Sequence, residues 1–168
     1  SPSARSRMAI AYDAWRDRVV LFGGEFYSCA SADTWEFDGT TWLPRAVSGP
    51  AARQQAVAAW DSRRGVTYVL GGVQCTGGAN YDDLWAFDGT SWTEVAQGGM
   101  RPAARRGAVM IYDPVRDRLV LSGGSDGLNY LGDTWEFDPA AGTWQAITTA
   151  VAPVSRSSSS MVYDPNRR

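Results

Sequence analysis

The 168-residue sequence contains no histidine, and because all 16 of its basic residues are arginine, it contains no lysine either. Histidine is a common general base and metal ligand, and lysine forms Schiff bases with carbonyl substrates. These two absences exclude imidazole metal ligation, histidine general-base catalysis and lysine Schiff-base chemistry from this chain. An all-arginine basic set also favours an origin in a GC-rich bacterial genome.

The sequence also lacks a large excess of positive or negative charge, and it lacks long apolar runs. The 16 arginines and 18 acidic residues are mixed along the chain, and the net charge is −2. We therefore expect no nucleic-acid partner and no anionic membrane surface, since both bind a basic face. No stretch approaches 18 consecutive apolar residues, and the sequence does not begin with a charged-then-apolar leader. We expect neither a membrane-spanning helix nor a signal peptide.

What the sequence does contain is a pattern that occurs three times. Each copy has an aromatic-aspartate pair, a double glycine and two tryptophans, at Tyr12-Asp13, Gly23-Gly24, Trp35 and Trp42, at Trp60-Asp61, Gly71-Gly72, Trp85 and Trp92, and at Tyr112-Asp113, Gly123-Gly124, Trp135 and Trp144. The first tryptophans of the copies are 50 residues apart, and a fourth copy runs from Pro153 to Tyr163-Asp164. Repetition at this length, with a double glycine and spaced aromatics, is typical of β-propeller blades.

On these landmarks the sequence resembles the kelch family of β-propellers from end to end. The resemblance implies an all-β fold, a kelch-type β-propeller with three four-stranded blades plus the first strand of a fourth. We treat residues 1–168 as a single propeller segment, with repeats at about 1–48, 49–100 and 101–151 and a partial repeat at 152–168.

The first two strands of each repeat, such as MAIAYD and RVVLFGG in repeat 1, are apolar at successive positions. This pattern predicts strands that are covered on both faces. The third strand, DTWEFD in repeats 1 and 3, alternates aromatic and polar residues, so its two rings should face one neighbouring blade.

Charged residues recur at two positions, Arg5, Arg53, Arg105 and Arg156 before the first strands, and Asp33, Asp83 and Asp133 before the first tryptophans. A catalytic set rarely repeats in every blade. We therefore interpret these residues as structural groups that pair with one another or with loop backbone. The repeated tryptophans are likewise assigned to packing between blades.

Candidate binding residues lie where the repeats differ. The strand directions place the loops after the glycine pairs on the same face as the segments that lead into the first strands, and variable loops carry binding residues more often than tight turns do. From the loops we select the residues Phe26, Tyr27, Gln74, Asn80, Tyr81, Asp126, Asn129 and Tyr130. In kelch propellers that bind peptides, residues at the start of the innermost strand also hold the ligand, and this resemblance adds Arg7, Gln55, Arg106 and Ser158.

These residues predict a non-catalytic binding or assembly module that recognises a protein or peptide through the loop face. A carbohydrate-binding propeller is the alternative, since a tryptophan near a loop can stack on a sugar ring. An enzyme on a propeller scaffold is the second alternative. Propellers resembling galactose oxidase use histidine to bind copper, and this chain has no histidine with which to build such a site. Sialidase-type propellers carry the box SxDxGxTW, which the strings FDGTTW and FDGTSW do not match. We assign no catalytic residue, metal or cofactor.

The two cysteines, Cys29 and Cys75, follow the glycine pairs of repeats 1 and 2 by five and three residues. Neighbouring blades could bring them together, so a disulfide and two free thiols both stay open. The cysteine pair and the resemblance to bacterial kelch proteins favour a secreted or periplasmic location.

Three blades are too few to close a ring, so the first and last blades need a cover for their apolar faces. Either a missing part of the chain or other copies could supply it. A homodimer with six full blades is the simplest assembly.

Overall fold

The structure, a computed structural model, describes residues 1–27, 29–75, 78–151 and 153–166. Within these ranges the chain is built from strands joined by turns and loops, and it contains no helix. No helix in the described ranges could therefore cross a membrane.

Twelve strands form three four-stranded antiparallel sheets, one for each repeat. Repeat 1 forms β1 (Ala9–Asp13), β2 (Arg18–Phe22), β5 (Thr34–Phe37) and β6 (Trp42–Arg45), with the short hairpin β3 (Glu25–Phe26) and β4 (Cys29–Ala30) between β2 and β5. Repeat 2 forms β7 (Val57–Asp61), β8 (Val66–Leu70), β9 (Leu84–Phe87) and β10 (Trp92–Glu94). Repeat 3 forms β11 (Val109–Asp113), β12 (Arg118–Ser122), β13 (Thr134–Asp138) and β14 (Thr143–Ile147). In each sheet the strands pair in chain order, which confirms the predicted blades.

An aspartate closes the first hairpin of every repeat. The Asp13 Oδ1 atom accepts the backbone N–H groups of Trp15 and Arg16 at 2.9 and 3.1 Å. Asp61 and Asp113 hold the equivalent turns of repeats 2 and 3 in the same way. An aspartate that accepts N–H groups two and three residues ahead stabilises a tight turn. This explains why an aspartate follows the aromatic residue in every copy.

The apolar core lies between the sheets. At the interface of repeats 1 and 2, the edge of Phe22 meets the ring of Trp92 with centroids 5.1 Å apart, and Trp92 donates Nε1–H to Thr34 Oγ1 at 3.0 Å. At the interface of repeats 2 and 3, Tyr68 packs on Phe137 at 6.5 Å. Burial of one such side chain is worth about 1.5–3 kcal/mol. The predicted packing of rings against an adjacent blade is confirmed at these two interfaces.

The outer face of repeat 1 departs from the expectation that the first two strands are covered on both faces. Ile10 and Tyr12 of β1 are 52% and 53% exposed. The residues at the same positions of β11, Met110 and Tyr112, are buried against repeat 2. Among the described residues no sheet packs on the outer face of repeat 1, and for that reason these side chains stay in contact with water.

The fourth copy does not form the strand that we expected over residues 157–164. No strand occurs in the described residues 153–166. In the other copies the first strand pairs with the second strand of its own repeat, and the described residues contain no second strand for the fourth copy. The segment before it does occupy the repeat position, because the Arg156 carbonyl accepts the Gly124 N–H at 2.8 Å and the Arg156 N–H donates to Leu131 at 3.0 Å.

Candidate functional site on the loop face

Four residues that lead into the first strands organise the loop face. Arg7, Gln55, Gly107 and Ser158 share a left-handed backbone with φ of 55–61°. The N–H groups of the last three each donate to the carbonyl of the equivalent residue one repeat earlier, at 2.7–2.9 Å. A left-handed backbone is unfavourable for residues with a Cβ atom. The series of hydrogen bonds across the repeats compensates for this cost.

This series corrects the register of one predicted residue. We grouped Arg106 with Arg7, Gln55 and Ser158, but Gly107 occupies that position in repeat 3. Arg106 instead corresponds to Ser6 and Gln54, since each of these three forms a β-bridge with the residue directly after a glycine pair. The consecutive arginines Arg105 and Arg106 hide this difference in the sequence.

Buried arginines hold the loops in place through hydrogen bonds to an aspartate and to a backbone carbonyl. The Arg53 guanidinium, fully buried, contacts both carboxylate oxygens of Asp83 at 2.5 and 2.8 Å and the Gly71 carbonyl at 3.0 Å. Trp85 donates its Nε1–H to the same carboxylate at 2.7 Å. Repeats 1 and 3 contain the same arrangement, formed by Arg5, Asp33 and Trp35 and by Arg105, Asp133 and Trp135. The predicted structural pairing of these groups is confirmed.

These contacts keep the three aspartates ionised. Burial raises the pKa of Asp33, but hydrogen bonds from Arg5, Ser31 and Trp35 outweigh burial and lower this pKa to about 2. For Asp83 and Asp133 burial again opposes ionisation, and the ion pairs with the buried arginines lower both pKa values.

We expect the protein to lose stability as the pH falls from about 4 toward 2. The pKa of Asp33 is about 2 in the folded protein and near 3.9 in an unfolded chain. The stabilisation from its ionised form is therefore complete above the unfolded value and disappears as the pH falls through the folded value. Urea unfolding between pH 5 and 2 measures the effect, and Asp33→Asn should make the fall shallower. An unfolding free energy that stays constant over this range would contradict the expectation.

A cleft of about 340 Å³ opens on the loop face between repeats 2, 3 and 4. It is lined by Gln55, Arg106, Ser125, Gly127, Leu128, Asn129, Tyr130 and Ser157. Four of the predicted site residues, Gln55, Arg106, Asn129 and Tyr130, thus come together. Arg106 forms no ion pair with any residue that the structure describes. Its positive charge is free to meet a ligand.

Asn80 lies at the edge of this cleft. Its Nδ2 donates to the Ser125 carbonyl at 3.3 Å, and a side chain at Gly127 would lie 3.7 Å from the same nitrogen. The Asn80 Oδ1 atom is buried and accepts no hydrogen bond from the described residues. Asn80 therefore joins repeat 2 to the loop of repeat 3.

Other predicted residues occupy the loop face outside the cleft. Arg7 pairs with Glu25 at 2.7 Å. Phe26 and Tyr27 form an edge-to-face pair with centroids 5.8 Å apart, and Tyr27 is 95% exposed. Gln74, Asp126 and Ser158 are exposed as well.

Two of the predicted residues have clear structural contacts. The Tyr81 ring stacks on the buried Arg53 guanidinium at 4.1 Å, and its backbone bonds to Gly72 and to Arg105. The Asp126 carboxylate accepts the N–H groups of Leu128 and Asn129 at 2.8 and 2.6 Å and so holds the turn of its loop. Replacing either residue would disturb its loop as well as any ligand contact.

Sequence reasoning missed four cleft residues, Ser125, Gly127, Leu128 and Ser157. Leu128 is 93% exposed, and an apolar residue in the middle of the polar string SDGLNY is a signal that could have identified it. The two serines carry no such signal, because serine is common in loops of every kind.

Comparison with known proteins decides the family. The model of the KLHDC2/KLHL20/DRC7 Kelch-repeats domain matches residues 1–167. The chain belongs to the kelch-repeat family. Kelch propellers are generally protein-interaction modules and are typically not enzymes.

Solved structures agree with the fold described above. The chain matches 144 chains of known structure, so the fold does not depend on a single resemblance. One of them, described as "Structure of YjhT", has a TM-score of 0.75 and 15% sequence identity, with 91% of this chain and 54% of that chain covered. This chain thus spans about half the length of that structure, and at this identity the likeness shows the fold alone. A search among curated proteins finds no match.

Proposed function

We propose that this kelch chain binds a protein or peptide segment through its loop face, with the cleft between repeats 2, 3 and 4 as the centre of the site. The observation that carries the proposal is Arg106, which forms no ion pair within the described part of the chain, in a cleft flanked by the exposed side chains Leu128 and Tyr130. Aromatic residues and arginine are enriched at the centres of protein interfaces.

The chemistry of the cleft indicates what such a segment would present. Arg106 would meet an acceptor, either a carboxylate or a main-chain carbonyl, and Ser125, Asn129 and Ser157 offer further polar groups. Leu128 and Tyr130 would cover an apolar side chain of the ligand. Three of the six repeated tryptophans give the carbohydrate alternative little support, because Trp92, Trp135 and Trp144 are buried between the sheets.

Arg106→Ala and Tyr130→Ala should each weaken peptide binding about tenfold or more, the usual loss at a central interface residue. The probe is a peptide selected against the wild-type chain from a random display library, with affinity measured by fluorescence anisotropy. Arg106 lines the open cleft and Tyr130 is largely exposed, so both variants should fold. Arg63→Ala and Val115→Ser, both exposed and close to the hairpin turns at the opposite ends of the strands, are the matched controls.

Selected peptides that bind Arg106→Ala and Tyr130→Ala as tightly as wild type would refute the cleft as the site. Binding to a glycan array without any peptide selection would favour the carbohydrate alternative instead.

A further inference from the structure

The two cysteines meet across the first two blades. Cys29 begins β4 in the hairpin of repeat 1, and Cys75 lies in the loop after β8 of repeat 2. Although 46 residues separate them in the chain, their Sγ atoms are 2.7 Å apart, and both are free thiols. A disulfide bond has an S–S distance of about 2.05 Å. A small movement of either side chain would bring the sulfur atoms to bonding distance.

The fold holds the two cysteines in place through one shared backbone segment. Two residues after Cys29, the Ser31 carbonyl accepts the N–H of Arg53 at 3.0 Å. Two residues before Cys75, Val73 and Gln54 exchange a pair of backbone hydrogen bonds at 2.9 Å. Because Arg53 and Gln54 are consecutive and buried, both loops are tied to the same rigid point. The approach of the thiols is therefore a consequence of blade packing.

The surroundings give the two thiols different reactivity. Hydrogen bonds from the Cys29 thiol and from the Ala30 backbone lower the pKa of Cys75. The same contact with Cys75 raises the pKa of Cys29. The thiolate is the nucleophile in thiol chemistry, and Cys29 is exposed while Cys75 is half-buried. The lowered pKa favours Cys75 and the exposure favours Cys29, so either thiol can attack a reagent first and its neighbour completes the reaction.

We propose that Cys29 and Cys75 form a reversible disulfide that links the loops of repeats 1 and 2 under oxidising conditions. A small-molecule disulfide such as oxidised glutathione is the oxidant. One of the two thiols, as the thiolate, attacks one of its sulfur atoms and releases one glutathione thiolate. The other thiol then loses its proton and attacks the protein sulfur of the mixed disulfide, which releases the second glutathione. Two protein thiols are oxidised, one glutathione disulfide is reduced, and the protons pass to the glutathione thiolates.

The disulfide would act on the loop face whatever ligand that face binds. It would fix the hairpin that carries Phe26 and Tyr27 to the loop that carries Gln74 and Asn80. It would also constrain the unfolded chain, which loses entropy when residues 46 positions apart are joined.

The experiment treats the reduced 168-residue chain with oxidised glutathione, traps remaining thiols by alkylation and measures the intact mass. The wild-type chain should become about 2 Da lighter and resist alkylation, and its Tm should rise by roughly 5–10 °C over that of the reduced chain. Cys29→Ser should instead keep one glutathione on Cys75. Cys75→Ser should likewise keep one glutathione on Cys29, because neither variant has the second thiol that completes the reaction.

Other products would overturn the proposal. A wild-type chain that carries two glutathiones would show that the thiols react independently. Disulfide-linked dimers would show that each thiol finds a partner in another molecule. Each comparison with the reduced wild-type chain also shows whether the variants fold, because the two serine substitutions should leave the Tm of the reduced protein nearly unchanged.

Discussion

Replacing Arg53 with alanine is expected to lower the free energy of unfolding by about 3–5 kcal/mol, the usual cost of removing one partner from a buried ion pair. The Arg53 side chain is fully buried and forms two bonds to Asp83. It also donates to the carbonyls of Gly71 and Ala51. Alanine would leave a carboxylate and two carbonyls without these donors, and Tyr81 would lose the cation on which its ring stacks.

Chemical denaturation and thermal melting of Arg53→Ala and wild type measure this loss, which corresponds to a Tm lower by about 10 °C for a chain of this size. Arg101→Ala is the matched control, since Arg101 makes a half-exposed pair with Asp82 at 2.9 Å. Removing an exposed pair should cost less than about 1 kcal/mol. Arg53→Lys should fall between the two, because an ammonium group cannot reproduce the paired contacts of a guanidinium. Equal losses for Arg53→Ala and Arg101→Ala would contradict the role given to burial.

The sequence predicts the blades well because several kinds of residue independently indicate the same strand and turn positions. The double glycines end the second strands, the aspartate of each aromatic-aspartate pair closes the first hairpin, and the third-strand rings face the neighbouring blade. Each landmark occurs three times, so an error at one copy is corrected by the other two. Only the fourth copy, for which the described residues contain no second strand, gave a wrong strand.

The sequence predicts which face of the blades carries the candidate site, but it does not predict which residues of that face form the cleft. Arg5 and Arg106 are both arginines before a first strand, yet Arg5 pairs with Asp33 and Arg106 pairs with none of the described residues. Tyr81 and Tyr130 are both loop tyrosines, but one stacks on a buried guanidinium and the other lines the cleft. These differences depend on distances between residues of different repeats. A single sequence without coordinates does not contain them.

Gly71→Ala is expected to destabilise the protein by about 3–5 kcal/mol, through a strained backbone and a steric collision together. Gly71 has φ +67°, and a Cβ atom there would lie 2.5 Å from the Arg105 carbonyl oxygen. That oxygen belongs to backbone of the next repeat, which accepts the Gly72 N–H at 2.8 Å and cannot move away without breaking this bond. The substitution therefore separates two blades at the point where the loop face begins.

Alanine substitutions at two further glycines separate the cost of backbone strain from the cost of the steric collision. Gly39 has φ +93° with nothing within 4 Å of the added Cβ, so Gly39→Ala carries only the backbone strain, about 1–2 kcal/mol. At Gly123 the Cβ would lie 2.7 Å from the Arg156 carbonyl, but the exposed segment of the fourth copy forms no strand and can shift. Urea unfolding should therefore rank the losses as Gly71→Ala, then Gly123→Ala, then Gly39→Ala. If Gly71→Ala costs no more than Gly39→Ala, the close approach of neighbouring repeats is not what the double glycines provide.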